Sequence, residues 1–212
     1  MITRRHFANF TAKGIVAFSC SLLSGFWPSF IQAAEPKLKP LPYTSAFTRK
    51  GLHTQPWFLN SFLDLKDDLQ EATSQGKRFS IIWELAGCPY CRETHLVNFA
   101  KPNVSEFISK NFEILQLDLR GSRIVTNFDG KELTERDLAK RNNIRFTPTI
   151  QFFSENLEGI TGKSGLKATE VSRMPGYFRP QHFLAMFQYI RDKGYEVGDY
   201  RSYLKARDKK SK

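Results

Sequence analysis

An apolar run rich in Ile and Trp, Phe79 to Ala86, ends in Gly87-Cys88-Pro89-Tyr90-Cys91. A bounded apolar run of this length reads as a buried strand. Cys-Pro directly behind it reads as a helix start: with Cys88 as cap, Pro89 takes the first helical position, where its missing N–H costs nothing and its fixed φ suits the helix. The helix is expected to run to about Asn111. Two cysteines three positions apart, delivered by a strand onto a helix start, leave three chemistries open. They are a structural staple, a metal clamp, or a redox pair that forms and breaks one disulfide.

Cysteine usage and composition narrow this choice. The 212 residues hold three cysteines, Cys20, Cys88 and Cys91, too few for a disulfide scaffold. A hydrophobic content of 41%, with 14% aromatic residues, is enough for one well-buried domain with additions. The formal charge of +11 is scattered along the chain, and its densest run, Lys205 to Lys212, is a tail. This pattern reads as a solvated surface, with an acidic protein partner as the functional alternative, and speaks against nucleic acid.

Residues 1–34 read as an address. Thr3-Arg4-Arg5-His6-Phe7 opens a basic, acid-free stretch, Gly14 to Phe26 is apolar with Ser and Gly, and Ala33-Ala34 offers small residues for cleavage. The stretch resembles a twin-arginine export signal. Its apolar part is shorter than the about 20 residues a membrane span needs, so an uncleaved anchor is the alternative. Cys20 is expected to leave with the signal, since Ala17-Phe18-Ser19 is a poor lipoprotein box. Removal takes Arg4, Arg5 and Lys13 and no acidic residue, lowering +11 by three to +8. Two cysteines then remain, in an export compartment.

Glu35 to Pro42 is a proline-containing spacer within an N-terminal extension, residues 35–56. A helix is predicted over Trp57 to Thr73 from Phe58, Leu59, Phe62, Leu65 and Leu69, with Gly76 as stop. After the cysteine helix come a strand over Glu113 to Leu119, a hairpin from Arg123 to Leu133 around Asp129-Gly130, and a short helix over Thr134 to Asn142. A strand at Thr149 to Phe153, one near Val171 to Met174, and a helix from Pro180 to Lys193 follow. Residues 57–193 thus form one α/β domain, and residues 194–212 a C-terminal helix and basic tail. The order of elements fits a thioredoxin fold, a central mixed sheet flanked by helices.

In that order the helix N-terminus favours a thiolate at Cys88, while Cys91, one turn in, is more protected. Cys88 is therefore expected to attack and Cys91 to resolve the mixed disulfide. Thr147-Pro148 opens an apolar strand, where proline is tolerated because no ladder donor is needed, and the Thr147 backbone is placed to pair with an extended substrate segment. His95, four positions after Cys91, either raises the local positive potential or moves a proton during resolution, or else is a half-exposed histidine bonded to backbone. Glu84 is either a proton acceptor for Cys91 or a strand-edge charge facing solvent. Arg92 reads as a surface cation, Trp83 as core, and Tyr90 as part of a docking surface.

The chain resembles periplasmic thioredoxins of the SoxW type from about Trp57 to Tyr203. The resemblance rests on GCPYC (Gly87 to Cys91), THLVNF (Thr94 to Phe99), VTNFDG (Val125 to Gly130), RFTPT (Arg145 to Thr149) and RMPGYFRPQHFLAMFQYI (Arg173 to Ile190). It implies thiol-disulfide exchange in the periplasm with no cofactor beyond the Cys88–Cys91 pair. Electrons would arrive from a membrane thiol carrier and leave to oxidised protein thiols, among them a cysteine on a sulfur-carrier protein. It also implies a cis-proline at Pro148 beside the pair. The chain departs from cytosolic-type thioredoxins at Ile82, where those have an aspartate six positions before the first cysteine, so proton handling has to be reassigned, with Glu84 as candidate. Alongside a disulfide reductase stand a thiol oxidant or isomerase using the same site, and a metal-binding module with Cys88, Cys91 and His95 as ligands.

Overall fold

The computed structural model describes residues 46–48, 51–155 and 170–210. The predicted export signal, Cys20 and the spacer Glu35 to Pro42 lie outside the described residues. In chain order the elements are β1 (Ala46–Phe47), β2 (His53–Thr54), α1 (Leu65–Ser74), β3 (Arg78–Glu84), α2 (Pro89–Glu93), α3 (Pro102–Asn111) and β4 (Phe112–Asp118). They continue with β5 (Ile124–Thr126), β6 (Glu132–Thr134), α4 (Glu135–Arg141), β7 (Thr149–Phe153), β8 (Glu170–Pro175), α5 (Pro180–Arg191) and α6 (Tyr200–Lys210).

The main sheet runs β4-β3-β7-β8. β3 is parallel to β4 and antiparallel to β7, which in turn is antiparallel to β8. All seven residues of β3 are buried, as a central strand covered on both faces requires. The alternation of a strand then divides two cores. Phe79, Ile81 and Trp83 point into one, with Leu65 and Leu69 of α1 and Leu138 of α4. Ile82 points into the other, among Phe99, Val104 and Ile108 and the Phe183 and Phe187 rings of α5. The thioredoxin fold expected from the order of elements is therefore present. The hairpin β5–β6 turns at Gly130, whose φ of +75° explains the glycine.

Two predicted helices have other limits. The first begins at Leu65, not at Trp57, because the Asp64 side chain accepts the Lys66 and Asp67 N–H groups and caps the helix there. Upstream, Leu63 sits at a left-handed φ of 69°, and Phe62 is fully exposed. Trp57 and Phe58 instead leave the helix line and set their rings edge-on to Phe99 at 5.4 and 5.6 Å. The residues between Leu52 and Leu59 thus form a strap laid on the domain, its end held by the Leu59 N–H on the Ile114 carbonyl at 2.9 Å. The cysteine helix is also not continuous. α2 passes into a wider π-type turn over Thr94–Phe99, and Pro102 opens α3 after a break at Lys101. At the C-terminus, α6 is tied back by Tyr200, which donates to the His182 carbonyl, and by Tyr203, which donates to Asp192.

Candidate active site

β3 stops at Glu84, and the chain turns through Gly87 at a φ of +77°. Cys88 follows in extended conformation as the cap of α2, and its Sγ accepts the Cys91 N–H at 3.1 Å. Pro89 occupies the start of the helix, as its sequence position demands. Cys88 is half-buried, whereas Cys91 is 3% exposed, and both are free thiols.

The second part of the site arrives on β7. Trp83 pairs with Thr149, so the residues just before β7 reach the end of β3 where the cysteines begin. The Thr147–Pro148 peptide is cis. The Cys88 Sγ–H donates to the Thr147 carbonyl at 3.4 Å, and the Thr147 hydroxyl donates to the sulfur at 3.3 Å. Cys88, Cys91, Pro89, Thr147 and Pro148, all picked from the sequence, are therefore brought together. Around them stand exposed rings: Tyr90 stacks on Tyr177 at 6.2 Å, and Phe146 is 64% exposed.

Behind Cys91 the surroundings change. Glu84 is not a strand-edge charge in solvent. It is 1% exposed and faces the same side of β3 as Ile82, one pleat nearer the cysteines. Nor is His95 half-exposed and bonded to backbone. The π-type turn carries it inward to full burial, where Nε2 lies 3.0 and 3.1 Å from the two Glu84 carboxylate oxygens. On the far side of the ring, the Gln55 amide meets Nδ1 at 2.9 Å. The Gln116 amide donates to the second Glu84 oxygen and to the His53 carbonyl. Burial pushes the Cys91 thiol well above its usual range, and the Glu84 charge and the Cys88 sulfur add to the effect. Trp83 is core, its Nε1–H donating to Gln151 at 2.6 Å, and Arg92 is exposed.

Gln55 and Gln116 were not singled out from the sequence. Gln116 did carry a signal, an uncharged polar residue inside the apolar strand Phe112 to Leu117, where a buried amide must find partners. Gln55 carried none, since its role depends on the path of the strap. Both nitrogens of His95 are engaged by Gln55 and Glu84, which leaves the cysteine pair without the third ligand that a metal clamp requires. Among the described residues, no group of three or more His, Cys, Asp or Glu is placed to hold a metal.

A family model of a thioredoxin-like domain matches residues 65–191, more than half of the chain. The chain belongs to the thioredoxin-like family. Among solved structures, a thioredoxin-fold protein from Helicobacter pylori is similar at 18% identity and a TM-score of 0.53, over 72% of this chain and 93% of that one. A thioredoxin from Thermus thermophilus is a looser likeness at 20% identity and a TM-score of 0.47, over 64% and 90% of the two chains. The Helicobacter likeness is one of fold. No curated protein matched. The thioredoxin-like match begins at α1, so Gln55 and the rest of the strap lie before it.

Proposed function

We propose that this thioredoxin-like protein is an exported protein-disulfide reductase of the SoxW type, acting in the periplasm on oxidised protein thiols such as a cysteine of a sulfur-carrier protein. One observation carries the chemistry: the Cys88 sulfur lies at the surface between the Cys91 N–H and Thr147, while Cys91 is buried one turn behind it. The export route rests on the Arg4-Arg5 stretch.

The Cys88 thiolate attacks a substrate disulfide. That bond breaks, one substrate sulfur leaves as a thiolate that takes a proton, and a Cys88–substrate disulfide forms. Cys91 then gives up its proton, with Glu84 as acceptor, and attacks the Cys88 sulfur. The Cys88–Cys91 disulfide closes, the second substrate thiol departs, and two electrons have passed to the substrate. A membrane dithiol carrier returns them. The exposed Tyr90 and Phe146 rings frame the approach to Cys88.

A trapping experiment tests this reading. Cys91→Ser should accumulate mixed disulfides on Cys88, visible on non-reducing gels and identified by mass spectrometry, with a sulfur-carrier protein among them. Cys88→Ser should form none and should reduce insulin only at the background rate. Insulin reduction by Cys88→Ser at the wild-type rate would overturn the proposal.

A further inference from the structure

The resolving step, as read above, needs a base for Cys91, and that base is built from more than one residue. Cys91 is nearly enclosed in the free protein, and a substrate docked on Cys88 would cover the same face. The buried cluster behind it includes one residue from outside the family domain. Gln116 has both amide hydrogens committed, one to the His53 carbonyl at 2.5 Å and one to Glu84, so its orientation is set by two acceptors. His95 has its Nδ1 facing the Gln55 amide nitrogen. A neutral imidazole that accepts at Nδ1 carries its hydrogen on Nε2, and Nε2 is the atom that faces both Glu84 oxygens.

We infer that Gln55, a strap residue before the thioredoxin-like domain, is a positioning residue for the resolving step: by donating to Nδ1 it holds His95 in the tautomer whose Nε2–H orients the Glu84 carboxylate as proton acceptor for Cys91. The inference rests on the reading of Cys91 as resolving thiol. The groups facing the pair are Cys91 from α2, His53 and Gln55 from the strap and Gln116 from β4, with the Phe58 and Phe99 rings edge-on to the imidazole. His53 stacks on His95 with ring centroids 5.8 Å apart, and burial holds its pKa below the usual value. It is therefore neutral at neutral pH and does not compete for the Glu84 charge. Gln55 and Gln116 also line a cavity of about 360 Å³ between the strap and β4. The balance is simple: one proton moves from the Cys91 sulfur to the Glu84 carboxylate, and the sulfur electron pair forms the bond to Cys88.

Stopped-flow reaction of the reduced full-length protein with excess 5,5′-dithiobis(2-nitrobenzoate) tests this, because each thiol releases one coloured thiolate in its own phase. Attack by Cys88 gives the first phase, and displacement by Cys91 from the Cys88 adduct gives the second. Gln55→Leu, which removes the donor, and Gln55→Glu, which presents an acceptor to Nδ1, should each slow the second phase about tenfold and move its pH profile. The first phase should keep its rate and amplitude, which also reports that the variants are folded. His95→Gln keeps a donor toward Glu84, loses the tautomer, and should respond in the same direction. Second phases with the wild-type rate and pH profile in both Gln55 variants would overturn the inference. A second phase that survives in Cys91→Ser would instead overturn the role of Cys91, so the two failures are distinguishable.

Discussion

Cys88 and Cys91 stand three residues apart on one turn of helix, yet they face opposite kinds of medium. Cys88 meets a partly open surface, with a hydroxyl, a carbonyl and exposed aromatic rings around it. Cys91 faces a closed cluster of Glu84, His95, Gln55 and Gln116, of which no member is more than 9% exposed. One helix start thus supplies a nucleophile at the surface and a shielded thiol beside a carboxylate. The difference comes from how each side is built. The open side is made of chain turns at the ends of β3 and β7, and the closed side of side chains locked by mutual hydrogen bonds.

Substitutions should separate the two sides by size of effect. Glu84→Ala leaves the His95 Nε2–H and one Gln116 N–H buried without an acceptor, and each buried donor left unpaired costs about 1 to 3 kcal/mol. Thr147→Ala removes a single half-buried hydroxyl donor and should cost about 1 kcal/mol. Urea denaturation at neutral pH measures both. Equal losses would show that the closed cluster is no tighter than the open rim.

Reactivity should follow the same division. Iodoacetamide on reduced protein should alkylate Cys88 at least about tenfold faster than Cys91, because Cys91 is enclosed and its thiol is held protonated. Peptide mapping after a short pulse measures the ratio. Faster labelling of Cys91 would reverse the roles.

A further expected effect lies away from both cysteines and serves as a control on pH. Asp68 in α1 is buried and bonded by the Ser61 hydroxyl, and burial raises its pKa from 3.8 to about 6. A carboxyl whose pKa is higher in the folded state adds stability below the unfolded value and loses it as pH rises through the folded value. Its contribution should therefore be present near pH 4 and gone by pH 7. Subtracting the Asp68→Asn stability curve from the wild-type curve between pH 4 and pH 7 isolates this. A flat difference would contradict it, and a change in the resolving phase on Asp68→Asn would show that scaffold and site are not separate.

The open side was legible in the sequence and much of the closed side was not. Cys-Pro-Tyr-Cys behind an apolar run defines a strand, a cap and a helix start by local rules alone, and Thr-Pro before an apolar run marks a strand opening. The same local rules misjudge the segment from Trp57 to Asp64. Its apolar residues keep helical spacing while its rings pack on Phe99, which lies more than thirty positions away. Glu84 and His95 were named as candidates, but their burial depends on the strap and on the turn that carries His95 inward, and neither follows from residue spacing. Gln55 becomes meaningful only once the strap is placed, because a contact across forty positions leaves no periodic trace.

The pairing of β3 with β7 has a consequence for how the chain tolerates changes in length. Ser80 to Trp83 are matched to Thr149 to Phe152 by an unbroken ladder, and the distance from the Cys88 sulfur to Thr147 is the sum of that register and two short turns. Lengthening the segment between Trp83 and Cys88, or between Thr147 and Thr149, by one residue would carry the thiol past its neighbour or turn the strand's inward residues outward. The β5–β6 turn at Asp129-Gly130 has no such coupling to the thiol. A one-residue insertion at that turn should therefore leave the Cys88–Thr147 contact in place, whereas an insertion at either of these two spacings should break it.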